Sequence, residues 1–265
     1  MTALRGAVAA VKDLLRPWKH RALTAIGREL VFTPDVDVAT ECHGTEYGGF
    51  AILRESLHRD AVVLSCGIGE DASFDLGLIE KYGCTVHAYD PTPKSVAWVK
   101  RSIHDARFVL HEMAIASADG TLRLYLPKRT DFVSASLQPG EHTSQEYVDV
   151  PARRIATIVQ SLGAGRVDVL KLDIEGAEYG VLADLLRESS AIYPDQLALE
   201  FHHFYPEFGI RATRDAVSLL RRSGYRLCWV SPSQHELLFV REAVLAAQRS
   251  KGGAAPADTV RPSVP

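Results

Sequence analysis

Residues Val62–Leu76 read VVLSCGIGEDASFDL. An apolar run stops at two glycines set one residue apart. Acidic residues follow, then apolar residues at helical spacing. Gly67, Gly69 and Ala72 fit the pattern G-x-G-x-x-G/A between a strand and a helix. The first glycine permits a tight turn, the second lets a ligand approach the backbone, and a small third residue allows close helix–strand packing. Asp90 ends the next apolar stretch, 23 residues after Gly67. That is near the spacing of roughly 20 residues at which an acid meets ribose hydroxyls. The same pattern also serves as nothing more than a sharp turn.

Strands and helices alternate outward from this turn. AVVLSC (61–66) is a continuous apolar run, as expected of a strand buried on both faces. ASFDLGLIEKYG spaces Phe74, Leu78 and Ile79 as a helix that Gly83 can end. TVHAYD, RFVLHEM, VDVLKLD and QLALEFH read as further core strands, and TLRLYLP and EYVDVPA as shorter alternating ones. Helical stretches lie at PKSVAWVKRSI, GAEYGVLADLLRES and RDAVSLLRRSG. YRLCWV and ELLFV are separated only by SPSQH. A parallel crossover needs a dozen or more residues, so these two must pair as an antiparallel hairpin. The expected fold is α/β: a doubly wound, mostly parallel seven-stranded sheet with the hairpin appended at its C-terminal end. Residues 45–245 form that domain. Residues 1–44 are expected to be a basic, helical extension, and 246–265 a disordered tail.

The totals exclude several classes. The 265 residues are 46% hydrophobic, enough for one sizeable core. A net charge of -3 gives no global pull toward nucleic acid, and no nucleic-acid partner is expected. No apolar run approaches the roughly 20 residues of a membrane span. Leu4, Val8, Val11, Leu14 and Leu15 recur at helical spacing, but Lys12, Asp13 and Arg16 interrupt any signal-peptide pattern. That helix suits packing on its own domain or a partner better than a membrane surface. Cys42, Cys66, Cys84 and Cys228 form no CxxC pair, so free thiols in a reducing cytoplasm are expected.

Glu70, Asp71 and Asp75 crowd the start of the first helix. A pyrophosphate there would meet carboxylates, whereas a cationic ligand would be welcome. S-adenosylmethionine carries a ribose, an adenine and a sulfonium but no phosphate, so the acidic turn favours it over NAD. The terminal hairpin points the same way. At these residues the chain resembles class I S-adenosylmethionine-dependent methyltransferases, and more closely the FkbM-type family with its methyltransferase-like branch. The resemblance is carried by EYGGF, LSCGIGEDASFDL, VDVPARRIATIV, VDVLKLDIEGAEYGVL and LALEFHHF. One departure is Ser65, where many class I enzymes place an acid; Glu70 or Asp71 would then supply the charge.

The resemblance implies that Asp90 holds the cofactor ribose, that Glu112 or Met113 lies against the adenine, and that Tyr47, Gly48 and Gly49 cover the cofactor. It also implies O-methylation of a small-molecule or sugar hydroxyl. The residues themselves leave the acceptor atom open. Ligands of such sheets bind at the carboxyl ends of the strands, which here carry Asp173, Glu175, Glu200, His202 and His203. Asp173, Glu175 and His202 are the catalytic candidates, with His202 or His203 a base of near-neutral pKa. Asp173, Glu175, Glu200 and His202 also have the ligand types for Mg or Mn, though helix capping and ties between loops explain one or two of them more simply. The polar loop 129–147, with Ser134 and Ser136, suits contact with the acceptor. Two alternatives stand beside this reading: a nicotinamide-dependent oxidoreductase, and a binding protein that keeps the fold without catalysis.

Overall fold

The computed structural model describes residues 30–128, 143–187, 192–205 and 208–251. The expected N-terminal helix before residue 30, the tail beyond 251, and Ser134 and Ser136 lie outside them. In chain order the elements are β1 (Thr40–His43), β2 (Phe50–Leu53), β3 (Val62–Cys66), α1 (Ser73–Tyr82), β4 (Thr85–Tyr89), α2 (Pro93–Ser102) and β5 (Phe108–His111). There follow β6 (Ala114–Ile115), β7 (Gly120–Pro127), β8 (Thr143–Arg153), α3 (Ile155–Ser161), β9 (Val169–Leu172), α4 (Glu178–Leu185) and β10 (Gln196–Glu200). The chain continues through α5 (Gly209–Arg222), β11 (Tyr225–Val230), β12 (Glu236–Arg241) and α6 (Glu242–Lys251).

The seven-stranded sheet has the order β11-β12-β10-β9-β3-β4-β5. Its neighbours are parallel except around β12, which is antiparallel to both β10 and β11. The expected doubly wound sheet and hairpin are both present. The antiparallel strand is not at the edge, however, but inserted between β10 and β11. Burial explains which strand goes inside. Leu237, Leu238, Phe239 and Val240 are all buried, whereas β11 leaves Arg226, Trp229 and Val230 partly exposed. The uniformly apolar strand therefore takes the two-sided position.

Side chains of one strand feed two cores. Leu64, Leu170, Leu172, Leu197 and Leu199 pack against α3, α4 and α5. Val63, Val86, Ala88, Val169 and Ala198 pack on the other face with Phe74, Leu78 and Ile79 of α1. Gly83 closes α1 with φ 68° and donates its N–H to the Ile79 carbonyl, the expected C-terminal stop. β6, β7 and β8 form a separate three-stranded sheet. None of the four cysteines is bonded to another. No helix among the described residues is long and apolar enough to cross a membrane.

Two stretches differ from the helical extension and the tail expected at the ends. From Leu30 to His43 the chain has no helix, and β1 pairs antiparallel with β2. Phe50 and Ile52 of β2 join the α1 core, while Ala51 and Leu53 pack with Leu238, Val240 and Leu245. At the other end, α6 runs on to Lys251.

Glu41 ties this hairpin to α1. Its carboxylate accepts from Lys81 and the Tyr82 hydroxyl, and lies 2.9 Å from His43 Nε2. Burial alone would raise its pKa, but these hydrogen bonds outweigh that and hold it at about 2. The folded pKa is thus below the unfolded one. The resulting stability is present above about pH 4.5 and lost as pH falls toward 2. Glu41→Gln is expected to cost about 2 kcal/mol at pH 7. Urea unfolding across pH should show the gap between variant and wild type closing at acid pH; a gap independent of pH would refute the assignment.

Candidate functional site

The chain winds from β3 toward β4 and β5 on one side and toward β9 and β10 on the other. Open α/β sheets bind ligands outside the carboxyl ends of the strands where the order reverses. A cavity of about 640 Å³ lies there. Gly67, Ile68 and Gly69 line it from β3, Tyr89 and Asp90 from β4, and Ala114, Ile115, Leu122 and Leu124 form an apolar wall from the small sheet. Asp173, Ile174 and Glu175 border it after β9, and Glu200 and His202 after β10.

The two glycines do different work. Gly67 has φ 82°, and a Cβ there would sit 1.7 Å from the Asp173 carbonyl oxygen. It lets the ends of β3 and β9 touch. Gly69 has φ 61°, and a Cβ there would meet nothing within 4 Å. Ala72 is buried in the α1 core, as a small third residue should be. The amides of this turn are already engaged. Asp90 Oδ2 accepts the N–H groups of Ile68 and Gly69 at 2.9 and 3.0 Å, and Oδ1 accepts that of Thr92 at 2.8 Å. The first amides of the glycine turn therefore face a carboxylate of the protein itself.

The opposite wall is an acidic cluster around one histidine. Glu175 adopts φ 55° and Gly176 φ 97°, where a Cβ on Gly176 would strike the Phe208 ring at 2.0 Å. This left-handed pair turns the chain from β9 into α4. Glu178, fully buried in the first turn of α4, then reaches back. Its Oε2 accepts the Gly176 N–H at 2.8 Å; its Oε1 accepts the His202 N–H at 3.1 Å and lies 2.9 Å from His202 Nδ1. The buried imidazole therefore turns Nε2 toward Glu175 Oε2 and Asp173 Oδ1, 3.6 and 3.8 Å away. Tyr205 donates its hydroxyl to Glu175 Oε2 at 2.5 Å and stacks on His202.

The electrostatics follow. Burial disfavours a charged His202, but the hydrogen bond and charge of Glu178, with Glu175 and Glu200 nearby, outweigh it and raise its pKa to about 9. The near-neutral base expected from sequence is thus corrected: three carboxylates keep the ring protonated. Burial and then Asp173 push Glu200 upward, since a second buried negative charge beside Asp173 is unfavourable.

Other expected residues are distributed unevenly. Tyr47 and Gly48 line the cavity, on a loop pinned by Asp71, which accepts from the Thr45 hydroxyl at 2.5 Å and the Ser73 N–H at 2.8 Å. Glu70 lines it too, but pairs with Lys94 at 3.3 Å, so the acidic turn is partly neutralised. Glu112 and Met113 are not brought in. The Met113 N–H turns back to the His111 carbonyl at 2.9 Å, which sends Glu112 outward to Lys100 and Met113 against the core, leaving Ala114 and Ile115 at the cavity. His203 is buried against His235 and does not line the site, in line with a structural role. Ser65 is fully buried, in register with Lys171 and outside the lining.

Lys171 is the residue that sequence reasoning missed. It is buried, donates to the Gly67 carbonyl, and lies 3.6 Å from Asp173 Oδ2 and 4.9 Å from the Phe50 ring centre. A lysine in the middle of an otherwise apolar strand was the available signal, since buried lysines occur almost only when paired. Tyr205 and Phe204, which follow the last expected strand residues, also line the cavity.

Residues 67–227 match the methyltransferase FkbM domain, more than half of the chain. The chain belongs to the FkbM methyltransferase domain family. It is 27% identical over 169 residues to probable methyltransferase-like protein 24 of Homo sapiens and 24% identical to that of Rattus norvegicus. Those matches cover 63% of this chain and 40% of each relative, so the chain corresponds to less than half the length of the relatives it matches. Among solved structures, Aeropyrum pernix fibrillarin in complex with natively bound S-adenosyl-L-methionine aligns with a TM-score of 0.40 and 10% identity, over 71% of this chain and 68% of that one. The FkbM match opens at Gly67 and takes in the glycine turn, Asp90, Lys171 and the whole acidic cluster. The β1–β2 hairpin and Tyr47 precede it, and β12 follows it. Membership in this family removes the ground for the nicotinamide alternative, which rested on the glycine frame and Asp90 alone.

Proposed function

We propose that this chain is an S-adenosylmethionine-dependent methyltransferase acting on a hydroxyl oxygen of a small molecule or carbohydrate. One observation carries the choice of cofactor: Asp90 holds the amides of the glycine turn, so the turn presents a carboxylate rather than free donors to its ligand. A pyrophosphate would be repelled; a nucleoside bearing a sulfonium would not. Asp90 Oδ1 has one protein donor and keeps a lone pair for a ribose hydroxyl. The apolar wall of Ile115, Leu122 and Leu124 suits a flat base or an apolar acceptor face.

The cofactor, when bound, supplies an electrophilic methyl group. The chain's part is to align an acceptor hydroxyl and take its proton as the oxygen attacks. Asp173, partly open to the cavity, is the proton acceptor in this reading. His202 and Lys171 flank its two oxygens and fix their direction. Glu175, clamped by Tyr205, shapes the opposite side. The acidic cavity gives no reason to expect a polyanionic acceptor, nucleic acid included.

Asp173→Asn should lower methyl transfer about 100-fold or more, while S-adenosylhomocysteine affinity changes only a few-fold. The assay is transfer of labelled methyl from S-adenosylmethionine to a panel of sugars, phenols and aliphatic alcohols, with cofactor binding measured separately. Wild-type binding of the cofactor with no transfer to any acceptor would instead support a non-catalytic binding protein.

A further inference from the structure

We infer that Asp173, Glu200 and His202 form a binding site for one divalent cation of the Mg²⁺ or Mn²⁺ type, beside the cofactor cavity. One oxygen or nitrogen from each of the three lies within 4.8 Å of the others. An octahedral ion needs neighbouring ligand atoms about 3 Å and opposite ones about 4.2 Å apart, from bonds of about 2.1 Å. The Asp173 and Glu200 carboxylates are both only partly buried, so neither is locked by packing on all sides. Two carboxylates with one imidazole suit Mg²⁺ or Mn²⁺ better than Zn²⁺.

The histidine is what separates this cluster from a patch of acids. Its side chain is 4% exposed, and its Nδ1 is fixed by Glu178, which is itself fully buried. No hydrogen bond reaches Nε2 among the described residues; the nearest carboxylate oxygens stand at 3.6 and 3.8 Å, too far for hydrogen bonds. A buried imidazole held at one nitrogen by a carboxylate, with the other aimed at convergent oxygens, is the arrangement by which proteins orient metal-ligating histidines; the ion takes the place of the Nε2 proton, which is released to solvent on binding. Asp173 fits the same scheme: Lys171 attends Oδ2, and Oδ1 faces His202. Glu178 is then a positioning residue, and the rest of the ion's coordination is open to water or an acceptor hydroxyl. That last role, lowering the hydroxyl's pKa by direct coordination, rests on the methyl-transfer reading; the binding itself does not.

The test is titration of the full chain with Mn²⁺ alone, following the free-ion electron paramagnetic resonance signal, without cofactor or acceptor. Wild type should bind one ion per chain. Asp173→Asn and Glu200→Gln should each weaken binding at least tenfold, and Glu178→Gln should weaken it 10- to 100-fold through the imidazole. Glu46→Gln, which removes an exposed acid at the cavity rim, should leave binding unchanged. Thermal unfolding of each variant checks that it folds, and the wild-type titration needs no variant. Absence of saturable Mn²⁺ binding up to millimolar concentration would overturn the inference. So would equal weakening by Glu46→Gln, which would reduce the effect to diffuse negative potential. A chain that binds the ion but transfers no methyl group would leave this site intact and defeat only the proposed function.

Discussion

Gly67→Ala is expected to cost about 4 kcal/mol or more, a large fraction of the stability of an ordinary domain. Part of the cost is the left-handed φ of 82°, about 1–2 kcal/mol for a residue with a side chain. The larger part is contact. The new Cβ would lie 1.7 Å from a backbone oxygen, that of Asp173. Neither partner can move cheaply. The Asp173 N–H donates to the Cys66 carbonyl at 3.0 Å, and the Gly67 N–H to the Tyr89 carbonyl at 2.9 Å, so the contact joins three parallel strands at their ends. Gly69→Ala provides the comparison. It carries a similar φ but open space, and should cost about 1 kcal/mol. Urea unfolding of both variants decides the matter; equal effects would mean that the turn's strain, not the β3–β9 contact, sets the requirement for glycine.

Lys171→Met should cost about 3 kcal/mol, because it removes the buried cation that pairs with Asp173 and offsets the charge of the buried Asp75. Asp75, on α1, is fully buried. Burial raises its pKa and Lys171 opposes that rise. A carboxyl whose folded pKa lies above its unfolded value favours the native state when protonated, so its penalty appears as pH rises above about 4. Without Lys171 the penalty grows. The variant's deficit should therefore widen from acid toward neutral pH, the same sense as for Glu41→Gln. Methionine preserves the length of the stem, so packing over Phe50 is largely kept. A deficit that does not change with pH would show that Lys171 contributes packing rather than charge.

The sheet was legible because its signals are local. VVLSC, VLKL and QLALE are mostly apolar runs, Gly83 and Gly224 stop the helices before them, and SPSQH is too short for a crossover. What sequence left out depended on partners distant along the chain. β2 is only four residues, FAIL, and periodicity cannot distinguish so short an apolar run from a helical one; it becomes a strand because both its faces find cores. The place of β12 within the sheet rests on which hairpin strand can bury two faces. In the site, the residue types and strand ends were readable, and Asp173, Glu175, Glu200 and His202 do converge on the cavity. Their protonation was not readable, since the raised pKa of His202 comes from Glu178, 24 residues away, and its neighbours. The adenine contact of Glu112 or Met113 was implied by the family resemblance, and one backbone turn at Met113 is enough to send both elsewhere.

The Asp90-capped glycine turn should receive S-adenosylmethionine rather than a dinucleotide. Thermal unfolding of the full chain with S-adenosylhomocysteine or NAD, each with and without EDTA, measures it directly. A ligand at about 100 times its dissociation constant adds roughly 2.7 kcal/mol, a shift on the order of 5–10 °C here. S-adenosylhomocysteine should give that shift and NAD none. A shift with NAD alone, or none with either, would contradict that assignment.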